Sequence, residues 1–251
     1  MERLLARNSV GRILRTFMRP QLVSRDPLDV RQAYSLWSST FAQETLTRHL
    51  EDELARRMLQ GLPHAHLLDA GCGVGDRIRN LPGAVGIDQS PEMVAAGGLL
   101  DAVVGDIREM PFASGEFDMV WCRLVLGHLC DPVPAVRELG RVCMPGGYVF
   151  VTDMHPDAIL AGHRRTFTDQ AGVVHEVEHY VHTNYTELAL RAGLKLAATR
   201  DAAIGSSARD FYIRGIGRRA YIRDFGLKLV SAYLFRRPED SRSQASLRPE
   251  P

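Results

Sequence analysis

The chain of 251 residues is 45% hydrophobic and 24% charged with a formal net charge of +1, ordinary globular values that suffice for one buried sheet and require no second domain. Near-neutral charge argues against a globally basic nucleic-acid binder, and no apolar run approaches the ~20 residues that span a bilayer. Cys72, Cys122, Cys130 and Cys143 form no C-x-x-C pair, which argues against a zinc site and suits reduced thiols in the cytoplasm.

Residues 1–28 read as a basic segment: Arg3, Arg7, Arg12, Arg15, Arg19 and Arg25 stand against Glu2 among Leu4, Leu5, Ile13, Leu14 and Phe17. Three readings stay open, namely a helix lying over the domain, a peripheral membrane-surface helix and an Arg-rich mitochondrial presequence. A domain is expected over 29–237, opening with a helical lid from Asp29 to Gln60. Strand one is placed at His66–Asp69, a helix of two turns at most at Asp76–Leu81 before Pro82-Gly83, and strand two at Ala84–Asp88. Ser90 caps and Pro91 opens the next helix. Strands at Ala102–Val104 and Phe117–Cys122 follow, then a helix at Pro134–Val142. A turn at Met144–Gly147 leads into strand five at Tyr148–Thr152. A helix at Tyr185–Ala192 ends at Gly193, strand six starts at Leu194, and a last strand runs from Leu229 to Phe235. Residues 238–251 have little to bury and are expected to be disordered. The alternation of strands and helices predicts an α/β doubly wound, mostly parallel sheet.

The chemistry concentrates in Leu67-Leu68-Asp69-Ala70-Gly71-Cys72-Gly73-Val74-Gly75-Asp76 and in Val85-Gly86-Ile87-Asp88. Glycines let a cofactor lie against the backbone between a strand and a helix, and an acid at the end of the second strand accepts both hydroxyls of an adenosine ribose. A dinucleotide would meet repulsion between its pyrophosphate and Asp76. S-adenosylmethionine has the same ribose, an ammonium and a sulfonium but no phosphate, so Asp69 and Asp76 favour it over NAD. Ligands of open parallel sheets bind beyond the carboxyl ends of the strands. Asp69, Gly71 and Gly73 are therefore assigned to the methionine part, Asp88 to the ribose, and Asp106 with Ile107 to the adenine, with Gln89 a further cofactor-binding candidate. Gly75 also suits close helix packing, and Met93 suits the core.

The segments LDAGCGVGD, GIDQSPEM, GDIREMPFASGEFDMVWC and ELGRVCMPGGYVFVTD, in this order, resemble the class I S-adenosylmethionine-dependent methyltransferases, in particular those of ubiquinone and menaquinone biosynthesis. The resemblance is strong from Tyr34 to Gly147 and weaker to Phe235. It implies a seven-stranded Rossmann-like methyltransferase fold with an N-terminal lid, S-adenosylmethionine as cofactor, and a cofactor contact at Arg123. An arginine is unusual there, since a guanidinium beside a sulfonium is repulsive unless it points away or pairs with Asp69 or Asp76.

Methyl transfer needs a base only if the nucleophile must lose a proton. His128, after strand four, and His155, after strand five, are the candidates, each also suited to capping a helix or bonding a loop carbonyl. The run His175–His182 alternates, placing His175 and His179 on one face of an extended segment, and reads as a hairpin bordering the acceptor pocket with no metal. Arg209–Arg223 interleaves arginines with Phe211, Tyr212 and Tyr221, as a solvated helix face, an RNA-stacking surface or an anion-binding insertion would. The leading expectation is methylation of a small aromatic, quinone-like or secondary-metabolite acceptor at O, N or C, with nucleic acid disfavoured. An RNA methyltransferase, a catalytically idle fold serving as a binding or assembly factor and an NAD-dependent oxidoreductase are the rivals.

Overall fold

The computed structural model describes residues 26–41 and 45–239. The basic N-terminal segment to residue 25 and the tail from residue 240 lie outside the described residues.

Seven strands form one sheet: β1 (Leu67–Ala70), β2 (Ala84–Asp88), β3 (Ala102–Val104), β4 (Phe117–Arg123), β5 (Cys143–Met154), β8 (Lys195–Ala203) and β9 (Lys228–Arg236). Their spatial order is β3-β2-β1-β4-β5-β9-β8. The first five pair in parallel, and β9 runs antiparallel to both β5 and β8. Every residue of β1 is buried, as a central strand covered on both faces requires. β8 closes the sheet as a largely exposed edge strand, its Lys195, Arg200 and Asp201 suiting a solvated edge. The chain leaves β1 toward β2 and β3 and returns on the other side for β4 and β5. Such a reversal opens a crevice at the carboxyl ends of β1 and β4.

Helices α3 (Pro91–Gly97), α4 (Val133–Val142) and α6 (Tyr185–Arg191) accompany the sheet. Ser90 caps α3 as expected, its Oγ accepting from the Met93 N–H at 3.2 Å. The expected single lid is two helices, α1 (Val30–Trp37), capped by Asp29, and α2 (Leu46–Met58), capped by Thr45. A short α5 (Pro156–Leu160) leads to a separate hairpin of β6 (Thr166–Thr168) and β7 (Val174–Glu176). α7 (Arg209–Gly215) and α8 (Arg218–Asp224) are inserted between β8 and β9.

Two expectations need correction. Residues 76–81 form linked turns rather than a helix, with Ile78 N donating to Gly75 O and Leu81 N to Ile78 O; Pro82-Gly83 leaves no room to continue. The turn at Met144–Gly147 is instead a bulge inside β5, because pairing with β4 passes directly from Phe117↔Cys143 to Met119↔Tyr148.

The lid has a core of its own. Ala33, Trp37, Val74, Met93, Phe167 and Val177 cluster there, Trp37 stacks on Phe167 at 4.9 Å, and Leu28 bridges to Val177. The hairpin and α1 therefore form one cover over the end of the sheet where β1 turns. Met93 is core, as its capped helix suggested.

Candidate active site

The glycine turn is tied to the neighbouring strand before any ligand is considered. Gly71 N and Cys72 N both donate to Ile87 O, at 2.7 and 3.1 Å, and Gly73 N donates to Asp88 Oδ2 at 2.8 Å. Gly71 has φ +82°, and a Cβ there would run into Val125; only glycine leaves that floor open. A Cβ at Gly75 would collide with Leu99, so that glycine serves packing.

Beyond the turn lies a cleft of about 480 Å³ whose walls include Gly71, Asp88, Gln89, Asp106, Ile107 and His128, with Val30, Tyr34, Val125 and Leu129. Five of the residues assigned to the cofactor thus share one cavity with one candidate base. Asp88 accepts from Gly73 N through Oδ2 and from Ser90 N through Oδ1, the latter at 2.9 Å; each oxygen keeps a second lone pair. Burial raises its pKa above the ordinary carboxylate value against these two bonds. Asp106 is clamped by Arg108, whose hydrogen bonds hold its carboxyl below the usual range.

Asp69 is fully buried, and neither carboxylate oxygen has a hydrogen-bond partner. Burial pushes its pKa up to about 6 despite the nearby charges of Arg77 and Arg123. Arg123 lines not this cleft but a hollow beside it, together with Gly71 and Val125. Its Nε and Nη2 donate to Glu51 Oε1 and Oε2 at 2.8 and 2.7 Å, and it also pairs with Asp52. The expected cofactor contact is corrected accordingly: the guanidinium serves the lid helix α2, and its partner is neither Asp69 nor Asp76. Asp76 pairs with Arg48 of the same helix.

The histidines separate by what they bond. His128 Nδ1 lies 2.9 Å from Glu178 O and Nε2 lies 3.1 Å from the Tyr34 hydroxyl. A carbonyl only accepts, so Nδ1 carries the hydrogen, Nε2 is the acceptor and Tyr34 donates to it. Burial lowers the pKa of His128 to about 4, which keeps the imidazole neutral at physiological pH. His155 is absent from the cleft. It caps α5, accepting from Asp157 N at 3.0 Å through Nδ1, while Nε2 faces Asp201 of β8. The candidate base role is corrected on geometry, since a His-Pro step opening a helix leaves that nitrogen facing the first free N–H groups.

His175 and His179 part company as well. His175 bonds Asp169 and stacks on Phe167 in the hairpin, whereas His179 bonds buried Asp153 at 2.9 Å and sets its ring against His128. Asp153 also accepts from Tyr185, and a Cβ on Gly127 would strike both Asp153 and His179. A backing layer of Asp153, His179 and Gly127 thus sits behind His128. Among the described residues no group of three or more His, Cys, Asp or Glu gathers at metal distance.

Sequence reasoning missed Tyr34, Glu51 and Arg165. Glu51 left a signal: it sits on the buried stripe of α2 beside Leu50, Leu54, Ala55 and Met58, where a charge requires a buried partner. Tyr34 and Arg165 left none, because lid side chains reach the cleft through tertiary packing.

A glycine turn after the first strand, acids after the second and third, and a cleft at the reversal point define an α/β protein built to hold a nucleoside cofactor. Residues 68–151 match the family model described as "Methyltransferase domain". Over 175 residues, 66% of this chain, the sequence is 30% identical to the malonyl-[acyl-carrier protein] O-methyltransferase of Dechloromonas aromatica (strain RCB). That match spans 65% of the relative, just under two thirds of its length. It is 36% identical to the demethylmenaquinone methyltransferase of Mycolicibacterium vanbaalenii over 104 residues, 39% of this chain and 46% of that one. The fold superimposes on an S-adenosylmethionine-dependent methyltransferase from Mesorhizobium loti with a TM-score of 0.59 at 18% identity, covering 77% of this chain and 100% of the other. Residues 68–151 thus match a methyltransferase domain, and the chain is similar over about two thirds of its length to S-adenosylmethionine-dependent methyltransferases.

The residues present fit that cofactor. Asp69, just before the glycine turn, is a buried carboxylate without a partner, although it does not itself line the cleft. The floor at Gly71 stays open only because a Cβ is missing there.

Proposed function

We propose that the protein transfers a methyl group from S-adenosylmethionine to a small acceptor with an aromatic, quinone-like or secondary-metabolite skeleton. The observation that carries this reading is the convergence of Gly71, Asp88, Asp106 and Ile107 on one cleft with His128. When bound, the cofactor supplies a methyl carbon already activated by its sulfonium. Asp69 and the turn at Gly71 and Gly73 would hold its methionine end, Asp88 and Gln89 its ribose, and Asp106 and Ile107 its adenine.

The chain's remaining work is to position the acceptor and exclude water. Tyr34 and Val30 of the lid line the same cleft as Asp88, so the cover that closes the site also touches it. The proton route available is from an acceptor to the Tyr34 oxygen, as the Tyr34 hydrogen moves to Nε2 of His128. With a pKa of about 4, His128 is a weak base. The site therefore favours nucleophiles that arrive with a free lone pair or release their proton late. A cleft roofed by Val30 and Tyr34 and a net charge of +1 support a small acceptor over RNA. The free cysteines, three of them buried, support a reducing compartment such as the cytoplasm.

Isothermal titration with S-adenosylmethionine, S-adenosylhomocysteine and NADH tests the reading. Both adenosyl compounds bind, NADH does not, and Asp88→Ala weakens binding by at least about tenfold, the loss of one good charge-assisted hydrogen bond or more. Failure of both adenosyl compounds to bind would remove the foundation of the proposal.

A further inference from the structure

Arg165 immediately precedes β6, and its carbonyl is fixed by the Val177 N–H at 2.8 Å. The residue is 9% exposed. Its guanidinium lies 5.0 Å over the Trp37 ring, and Nε is buried without a hydrogen-bond partner. The neighbouring arginines are all matched: Arg48 with Asp76, Arg77 and Arg123 with Glu51. Among the described residues no carboxylate forms an ion pair with Arg165. The Tyr34 hydroxyl meets another part of the guanidinium, and an indole face stabilises a cation but accepts no N–H bond in its plane, so Nε stays unsatisfied.

The position of that edge gives it a purpose. Arg165, Trp37 and Thr45 line two hollows at once. The inner one, about 430 Å³, adjoins the cleft and shares Tyr34, Gly71 and Val125 with it. The outer groove, about 1300 Å³, runs past β6, Met154 and Ile216 and includes no residue of the glycine turn or of the β2 end. Arg165 thus stands where a molecule entering from the outer groove would reach the transfer site.

Resting on the methyltransferase reading, we propose that Arg165 is the acceptor-binding residue for a carboxylate, and that the acceptor is an aromatic or apolar carboxylic acid entering through the outer groove. A planar cation with a free Nε–H offers a carboxylate a charge-assisted hydrogen bond. One unmatched guanidinium balances one negative charge, whereas a phosphate would call for more. Trp37 and Phe41 line the inner hollow and supply the surface for an apolar body.

The test uses the full chain in two arms. In the first, titration calorimetry measures S-adenosylhomocysteine binding to wild type, Arg165→Gln and Arg165→Lys. In the second, formate and benzoate are titrated into each protein with and without that compound, with benzamide as the uncharged control and the summed emission of Trp37 and Trp121 as the reporter. Wild type binds the carboxylates, with benzamide at least about tenfold weaker than benzoate; Arg165→Gln abolishes the difference and Arg165→Lys keeps part of it, as expected for one charge-assisted contact. Affinity for S-adenosylhomocysteine changes by less than about twofold, because no new contact to it is removed. A tenfold loss of that affinity in Arg165→Gln would assign the guanidinium to the cofactor's own carboxylate and overturn the proposal. Equal binding of benzoate and benzamide, or no carboxylate binding by wild type, would overturn it too. Failure of wild type to bind S-adenosylhomocysteine would strike the methyltransferase reading itself, which the carboxylate titration without that compound separates from the fate of Arg165.

Discussion

Glu51 on α2 and Asp69 on β1 are both 0% exposed, under the same pair of arginines, and they ionise in opposite senses. Burial alone would raise both. At Glu51 the charges of Arg123 and Arg77 and the hydrogen bonds from Arg123 and Thr152 reverse it, bringing the pKa to about 2. At Asp69 the same arginines are near but bond elsewhere, and the pKa rises to about 6. A charge matched within the fold contributes to stability, whereas an unmatched one is held in reserve for something that binds. By that criterion Glu51 belongs to the scaffold, and Asp69 and the Nε of Arg165 are the unmatched groups whose part in binding is to be tested.

Breaking the matched side has the largest expected effect. Glu51→Ala leaves Arg123 and Arg77 buried with only Asp52 for charge and destabilises the fold by about 3–5 kcal/mol. Urea denaturation reads this directly. The pair Glu51→Leu with Arg123→Met removes one matched pair and recovers part of the loss, Arg77 keeping only Asp52. A single variant within about 1 kcal/mol of wild type would show that the network contributes nothing.

Stability against pH sharpens the contrast, because the two carboxylates give slopes of opposite sign. Glu51 falls from an ordinary 4.5 to about 2, so its contribution is present above 4.5 and lost as the pH drops toward 2. Asp69 rises from 3.8 to about 6; the folded state then binds the extra proton between those values, and stability declines as the pH climbs through that window. Each amounts to about 3 kcal/mol over its range, at about 1.4 kcal/mol for each tenfold change in proton affinity. Asp69→Asn removes the second slope, raises stability at pH 7 and weakens S-adenosylmethionine binding. Denaturation at pH 4, 5, 6 and 7 with parallel titrations checks all three, and an unchanged pH profile in the variant would clear Asp69 of the role.

How legible this was in the sequence follows the same division. The short apolar runs announced β2 and β3, which came out with their bounds correct, and Asp88, Asp106 and Ile107 were read from the strand ends alone. Ser90-Pro91 gave the start of α3 because a cap acts within three residues. The Arg123–Glu51 pair joins positions 72 residues apart, and no local period encodes it; an arginine in a cofactor motif therefore read as a contact in doubt rather than a scaffold ion pair. Arg165 and Tyr34 were silent for the same reason, since the lid meets the sheet only after folding. Residues 76–81 misled by composition, because helix-forming side chains cannot extend a segment that Pro82-Gly83 terminates.

His128 lies between the two classes, bonded on both ring nitrogens yet lining the cleft. Its pKa of about 4 sits below the ordinary 6.5, so the rate profile of methyl transfer shows no inflection near 6.5 from this residue. Stability falls as the pH drops from 6.5 toward 4, because the unfolded state then takes up the proton first. Tyr34→Phe removes the donor to Nε2 and raises KM or lowers kcat while costing about 1 kcal/mol of stability. An inflection near 6.5 that vanishes in His128→Asn would instead make His128 a freely titrating base.

The smallest effect belongs to His155, the candidate that geometry moved out of the cleft. Its Nδ1 is matched within the fold, holding the Asp157 N–H at the start of α5, so the partner criterion predicts a loss of stability and none of activity. His155→Ala costs about 1 kcal/mol, the worth of a helix cap. His155→Asn restores most of it, because an asparagine oxygen accepts the same N–H. KM and kcat for methyl transfer stay at wild-type values in both variants. A variant with an unaltered melting curve and an impaired rate would return His155 to the reaction, and it would show that a group matched in the folded chain can still serve the site, the one outcome that breaks the contrast between Glu51 and Asp69 as a guide to function.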